Sequence, residues 1–353
     1  MAGTGTLVVI GATGSTGSRI AALAADADIP TVVVGRRRQP LDRLAQGTAL
    51  QVRVSSLEPH QLDQAFDDAT VVVNSVGPYT AFGRPVAEAA IRAGAHYVDF
   101  SGEPRWVYEV STELSCAAAK VNVRLVPSVG VGASGDLAAA LVAANLPTVE
   151  SLTIAYRIVG MKPSAATARS MIDILAGGAP RHHPSGAVTF LRAGSRSGRL
   201  PGGRGVQFPT PDPIALGARW PQARIESFTQ TTAPMVSGPV LAATASLLSR
   251  SRIARLARAG VDRWASGGEH HGGGGRATAT AVAEGGGRRA TARVHISDVY
   301  DFTARAGFSA ALGLLDGAGA PGLQAWGQVT KPPFVESAEL GATVGRISSN
   351  LIR

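Results

Sequence analysis

The chain has 353 residues, 45% of them hydrophobic and 17% charged, which supplies core material for about two domains and excludes a disordered chain. No apolar run reaches the roughly 18 residues of a membrane span, the start lacks the basic leader of a signal peptide, and a single cysteine, Cys116, excludes an internal disulfide framework or a cysteine-cluster metal site. A soluble, cytoplasmic protein with no membrane span is expected. The formal charge of +9 is carried almost wholly by arginine, with only Lys120, Lys162 and Lys331 as lysines. No finger, RNA-recognition or basic-zipper pattern accompanies it, so no nucleic-acid partner is expected. Attraction to phosphorylated cofactors or acidic carriers is the more useful consequence.

The first 127 residues alternate regularly. Short β-branched runs at Thr6–Ile10, Thr31–Val34, Ala49–Val54, Thr70–Val76, His96–Phe100 and Val121–Val126 are separated by helical patterns, among them Ser15–Ala25 and Leu41–Ala45. This rhythm predicts an α/β fold, a Rossmann-type doubly wound parallel sheet with helices on both faces. One helix is bracketed by Pro85 near its first turn and Gly94 just past its end.

Beyond Pro127 the pattern changes to a second, α+β domain with antiparallel strands. A helix is expected over Gly135–Asn145, a strand over Ser151–Val159 and a helix over Ala165–Leu175. Residues 177–221 read as loops with short strands, and Val240–Ala259 as one helix with a basic edge of arginines at 250, 252, 255 and 258. Gly267–Gly275 reads as a loop, Gly285-Gly286-Gly287 as the turn of a β-hairpin, and Val299–Leu315 as a helix. The expected division is a dinucleotide-binding domain over 1–128, a substrate or dimerisation domain over 129–310 and a helical segment over 311–353.

The loop Gly11-Ala12-Thr13-Gly14-Ser15-Thr16-Gly17 joins the first strand to the first helix. Gly11 permits a sharp turn, Gly14 lets backbone approach a pyrophosphate, and Gly17 lets the helix pack closely on the sheet. The helix start offers N–H groups to the anion, so Thr13, Ser15 and Thr16 join the glycines as cofactor-binding candidates. The second strand ends Val34-Gly35-Arg36-Arg37-Arg38, with no acid to take a ribose 2′-hydroxyl. Arg36 and Arg37, following Gly35, suit a 2′-phosphate, so the expected cofactor is NADP. At least one of the three arginines reads as a solvated loop residue.

Residues Asn74 to Pro104 read NSVGPYTAFGRPVAEAAIRAGAHYVDFSGEP. This stretch resembles the saccharopine dehydrogenase-like oxidoreductases, especially the branch of trans-acting enoyl reductases. Gly77, Pro78, Tyr79, Glu88, Ala89, Gly94, Tyr97, Asp99, Gly102, Glu103 and Pro104 carry the resemblance, and Tyr300 and Thr303-Ala304 extend it loosely toward the C-terminus. It implies a two-domain NADP-dependent reductase whose second domain forms the substrate wall and a homodimer surface, with C-terminal helices packed back on the first domain. The sequence departs from the family pattern at Gly130-Val131-Gly132-Ala133-Ser134-Gly135-Asp136 and at Val329-Thr330-Lys331-Pro332-Pro333.

Ligands of an open parallel sheet lie beyond the strand C-termini, which places Ser75, Val76, Gly77 and Pro78 near the nicotinamide ribose. Tyr79 is a candidate to stack near the nicotinamide or donate a proton, against a packing role. Asp99 is a candidate to orient a substrate or a tyrosine hydroxyl, against capping the helix near Pro104. Glu103 and Asp136 read mainly as helix-start residues. His182 and His183 are minor candidates for proton donation. The His182-His183 and His270-His271 pairs lack the companions of a metal site, so no metal is expected. No tyrosine has a lysine four residues on and no Gly-x-Ser-x-Gly elbow occurs. The leading expectation is a reductase passing hydride from NADPH to a C=C (enoyl) or C=N (imine) bond of a small or carrier-linked metabolite. The alternatives are a non-enzymatic NADP(H) sensor of NmrA type and a redox-neutral enzyme that keeps NADP bound. The partner of the Arg250–Arg263 helix stays open, with a solvated face as the simpler reading.

Overall fold

The computed structural model describes residues 5–230, 237–266, 273–330, 340–345 and 347–351. The first half runs β1 (Thr6–Ile10), α1 (Ser15–Asp26), β2 (Thr31–Gly35), α2 (Arg38–Ala45), β3 (Gln51–Val54), α3 (Pro59–Ala65), β4 (Ala69–Asn74), α4 (Tyr79–Arg92), β5 (His96–Asp99), α5 (Pro104–Glu109), α6 (Ser115–Lys120) and β6 (Arg124–Val126), with one π-turn between α5 and α6. The continuous apolar runs follow from burial on both sides. In β1, Leu7 and Val9 pack toward Ile20 of α1 and Leu41 of α2. Val8 and Ile10 point the other way, toward Leu62 of α3, Val86 of α4 and Trp106 of α5. The strands are parallel in the order β6-β5-β4-β1-β2-β3, so the Rossmann-type expectation holds.

The chain continues through α7 (Gly132–Ala143), β7 (Ser151–Val159), α8 (Ala165–Gly177), β8 (Ala179–His182), β9 (Val188–Leu191), β10 (Ser197–Leu200), β11 (Gly203–Gln207), α9 (Asp212–Arg219), β12 (Arg224–Gln230), α10 (Gly238–Leu248), α11 (Ser251–Ser266), β13 (Arg276–Gly285) and β14 (Arg288–Ile296). A second sheet orders these strands β10-β11-β12-β7-β13-β14. One face of it is a stripe of small residues, Ala277, Ala279, Ala281, Ala283, Ala290 and Ala292, packed in one core with Leu137 and Val142 of α7. The sheet is mixed rather than purely antiparallel, because β7 and β12 pair in parallel. The long excursion from α8 to α9 between them supplies the crossover that a parallel pair needs.

The rest of the chain is α12 (Val299–Leu315), β15 (Gly322–Leu323), α13 (Trp326–Val329), β16 (Ala342–Val344) and β17 (Ser348–Leu351). Asp298 caps α12, accepting from the N–H groups of Tyr300 and Asp301 at 2.9 Å each. The helix returns to the first sheet: Phe302, Ala304, Ala306 and Ala310 share the core of Leu7, Ile20 and Val71. A boundary at residue 310 therefore cuts a helix that packs mainly on the nucleotide domain. The segment 311–353 is not a run of helices. Its β15 extends the first sheet parallel to β6, and β16 and β17 pair with β14 in the second.

Three helix boundaries differ from expectation. Helix α4 begins at Tyr79, so Pro85 lies inside it, where the missing N–H removes one rung of the ladder. Helix α7 begins at Gly132, which puts Asp136 inside the helix and not at its cap. The expected single helix Val240–Ala259 divides into α10 and α11 at Ser249–Arg250. Most of the Gly267–Gly275 loop, together with His270-His271 and Lys331-Pro332-Pro333, lies outside the described residues.

His96 on β5 is half-buried, and its Nδ1 accepts the Arg124 N–H at 3.3 Å. Burial, reinforced by the Arg124 guanidinium, pushes its pKa from 6.5 down to about 4. The unfolded chain therefore takes up this proton first as pH falls. The His96 contribution to stability is complete above about pH 6.5 and is lost as pH falls from there through about 4. Denaturant midpoints compared across that window are expected to fall more steeply for the parent protein than for His96→Gln.

Candidate nucleotide-binding and active site

The glycine loop is built by close approach. Gly11 adopts φ +77° and donates its N–H to the Val34 carbonyl at 2.9 Å, joining the ends of β1 and β2. A Cβ on Gly11 would lie 2.8 Å from Ser75 Oγ, and one on Gly17 would lie 2.5 Å from the Gly11 carbonyl oxygen and 2.6 Å from Ser75 Oγ. Ser75 fills this junction, donating toward the carbonyls of Ile10 at 2.9 Å and Gly11 at 3.0 Å. Thr13 and Gly14 are exposed at the loop tip, with Ser15 and Thr16 partly exposed behind them. Gly14 heads α1 with no side-chain cap, and the first turn contains no acid, so the helix start fits a pyrophosphate.

The cofactor candidates at the next strand stand apart from one another in role. Gly35 ends β2 and accepts the Ser55 N–H at 3.0 Å. Arg38 is paired with Asp42 at 2.8 Å. Arg36 and Arg37 are exposed and enter none of the ion pairs among the described residues, which leaves two guanidinium groups on the β2 side of the glycine loop. At the other end, Val76 N–H is held by Asn74 Oδ1 at 2.9 Å, and Gly77–Pro78 is a cis peptide that leads into α4.

Tyr79 turns its hydroxyl into the fold. It is 7% exposed, and the hydroxyl donates to the Asn74 carbonyl at 3.2 Å. Burial, with Asp99 and Glu103 nearby, holds its pKa well above 10, which opposes loss of its proton. Asp99 is fully buried and caps no helix. Its Oδ1 accepts from Ser101 N–H at 2.9 Å, Ser101 Oγ at 2.7 Å and Ser128 N–H at 2.9 Å. Its Oδ2 accepts from Tyr97 Oη at 2.9 Å and Trp106 Nε1 at 2.6 Å. Asp99 thus orients a tyrosine hydroxyl and ties the loops after β5 and β6 together.

Glu103 is 1% exposed and stands at the N-cap position of α5, as a helix-start residue should, but its side chain makes no capping bond there. Its Oε1 accepts the Tyr79 N–H at 2.9 Å and Ser170 Oγ at 2.7 Å, and its Oε2 accepts the Gly102 N–H at 2.8 Å. Burial raises its pKa because a carboxylate in a dry setting loses hydration. Asp136 joins Arg219 Nη1 at 2.9 Å and the Gly327 N–H at 2.6 Å, so it links α7 to α9 and α13. His182 bonds the Ala223 carbonyl through Nδ1 at 2.9 Å and packs on Gly217, while His183 reaches Thr189 Oγ1 at 2.8 Å. Both are thereby engaged within the second domain. Among the described residues no group of His, Cys, Asp or Glu could hold a metal ion.

Helix α8 forms where the sequence expected a helix, over Ala165–Gly177, but its contacts with the first domain carry no local sequence signal. It crosses the strand ends: Ser170 meets Glu103, Asp173 Oδ2 accepts from Thr80 Oγ1 at 2.7 Å, and the Gly177 carbonyl accepts from Arg105 Nε at 2.8 Å. At its start, Tyr300 Oη lies 3.0 Å from the Ser164 N–H and 3.1 Å from Thr167 Oγ1. Its outer side is held by α11, through Arg258 to Asp173 and Arg169 to Asp262. No motif marks these residues, since they converge only in the folded chain.

The fold and loop define a Rossmann-type dinucleotide-binding protein with a second mixed-sheet domain. Residues 7–126 match the family model described as the saccharopine dehydrogenase NADP binding domain, in agreement with the resemblance and with NADP as cofactor. The chain is 33% identical over 144 residues to a human saccharopine dehydrogenase-like oxidoreductase, covering 35% of this chain and 34% of the relative. It is 33% identical over 133 residues to a putative trans-acting enoyl reductase of Mycobacterium tuberculosis, covering 35% and 32%. These matches span about a third of the length of the curated relatives. Apo saccharopine dehydrogenase (L-Glu forming) from Saccharomyces cerevisiae shares the fold with a TM-score of 0.59 at 15% identity, covering 98% of this chain and 100% of that one. Among the described residues no helix is long and apolar enough to cross a membrane.

Two outcomes follow from this geometry. Replacing Arg36 and Arg37 together by alanine is expected to weaken NADPH binding by roughly tenfold or more while leaving NADH binding unchanged, because a charge-assisted contact to the 2′-phosphate contributes about 1.5–3 kcal/mol; fluorescence titration with the two nucleotides checks this. Tyr79→Phe is expected to lower unfolding free energy by about 1 kcal/mol with NADPH affinity intact, checked by denaturant unfolding and the same titration.

Proposed function

We propose that the protein is an NADP-dependent oxidoreductase that reduces a C=C (enoyl) or C=N (imine) bond of a small or carrier-linked metabolite. The observation that carries this reading is the pairing of a phosphate-ready loop and two exposed arginines with a helix of the second domain laid over Gly77–Pro78. The backbone and α1 start of Gly11–Gly17 would hold the pyrophosphate, Arg36 and Arg37 the 2′-phosphate, and Ser75–Pro78 the nicotinamide ribose. NADPH supplies a hydride when bound, while the protein contributes position and electrostatics. Tyr79 and Asp99 serve as positioning residues in this scheme: one braces the turn after β4 from below, the other fixes the loops after β5 and β6. The named relatives support an oxidoreductase, and the M. tuberculosis relative favours the enoyl option.

Stopped-flow absorbance of NADPH mixed with a panel of enoyl thioesters, imines and ketones tests the proposal. Oxidation of NADPH by an enoyl or imine member is expected. Tight NADPH binding with oxidation by no member of the panel would contradict it.

A further inference from the structure

A reductase of this kind needs a proton as well as a hydride, and the geometry removes the nearest sequence candidates. Tyr79 Oη is bonded inward to the Asn74 carbonyl, and His182 and His183 are engaged elsewhere. One buried acid is placed otherwise. Glu103 bonds three donors, none of them cationic, and forms no ion pair among the described residues. Its partner Ser170 comes from the second domain and lies 9% exposed. Ser170 Oγ is 3.7 Å from the position a Cβ would take on Gly77, so the hydroxyl stands against the backbone expected beside the nicotinamide ribose.

The surroundings favour a neutral carboxyl. Asp99 is the other buried acid nearby, and Tyr79 adds a second ionisable group. Arg105, two residues on, is turned to the Gly177 carbonyl and lies 3.7 Å from the Phe190 ring centroid. On α8, Arg169 and Asp173 are committed to Asp262 and to Thr80 and Arg258. Among the described residues no cation pairs with Glu103, and burial together with Asp99 shifts it toward the protonated form against the hydrogen bonds from Ser170 and from the Tyr79 and Gly102 N–H groups. With Glu103 ionised, Ser170 Oγ donates to it at 2.7 Å; once Glu103 is protonated the same contact reverses, Glu103 donating to Ser170 Oγ and the serine's own hydrogen turning away.

We propose that Glu103 and Ser170 form a proton-delivering pair for the reduction, with Ser170 the catalytic residue and Glu103 acting through it. This rests on the reductase reading above. The Glu103 O–H bond breaks as a bond from that hydrogen to Ser170 Oγ forms. The original Ser170 O–H bond breaks as its hydrogen bonds to the substrate atom that becomes electron-rich. NADPH is the reductant and supplies the electron pair with its hydride. Glu103 is left as a carboxylate and regains a proton from water.

Infrared difference spectroscopy of the full chain at neutral pH gives a readout that needs no substrate. The parent protein is expected to show a protonated-carboxyl stretch that vanishes in Glu103→Gln and shifts in Ser170→Ala, with NADPH affinity preserved in both. With crotonyl coenzyme A as probe, Ser170→Ala is expected to lower kcat by about 100-fold with little change in KM, and Ser170→Thr to recover most of that loss. The decline in turnover as pH rises, expected of a general acid, should disappear in Glu103→Gln. Absence of the carboxyl band from the parent protein, or parent-like turnover in Ser170→Ala, would overturn the pair. If the parent protein does not reduce crotonyl coenzyme A, the enoyl reading fails on that probe, and the infrared band still decides the pair.

Discussion

Three segments meet at a point with no room for one further carbon atom: the turn after β1, the first turn of α1 and the end of β4. Gly17 packs directly against the Gly11 carbonyl and Ser75, and Gly11 holds the left-handed conformation that starts the turn. This contact sets the direction of α1 relative to the sheet. It thereby sets where the uncapped helix start points, and with it the place available to a pyrophosphate. The arginines after β2 and the Gly77–Pro78 turn after β4 acquire their expected roles only because they flank that place along one sheet edge.

The second domain covers the turns after β4 and β5 through α8. Helix α8 is bonded to the nucleotide domain along its length, through Tyr300 at its start, Ser170 and Asp173 in its middle and Gly177 at its end. Arginines of α11 that look like a solvated edge in the sequence include Arg258, which is spent on Asp173. Helix α12 returns across the first sheet and β15 extends it, so the nucleotide domain is finished by residues nearly two hundred positions downstream of its own last strand. These returns bind the two sheets into a continuous core.

The parts legible in the sequence are those with a local physical cause. Doubly buried strands read as unbroken β-branched runs, and the glycine spacing reports a close approach within seven residues. The hairpin of β13 and β14 is announced by its three glycines. What escaped notice depends on distant pairing. Glu103 does head α5, but its carboxylate is turned to Ser170 and the Tyr79 N–H, which no local pattern foretells, and Asp136 looks like a cap until Arg219 and Gly327 arrive. Tyr79 misled because its neighbours form a turn that suits a cofactor, while its ring is claimed by the core below that turn. Pro85 misled because a helix-starting residue and a tolerated interior one look the same in isolation.

Isothermal titration calorimetry of NADPH against the parent protein and Gly17→Ala tests the central contact most directly. The account predicts saturable NADPH binding to the parent protein and a loss of roughly tenfold to a hundredfold in Gly17→Ala, the equivalent of about 1–3 kcal/mol of overpacking. Absence of NADPH binding to the parent protein, or equal affinity in the variant, would contradict it.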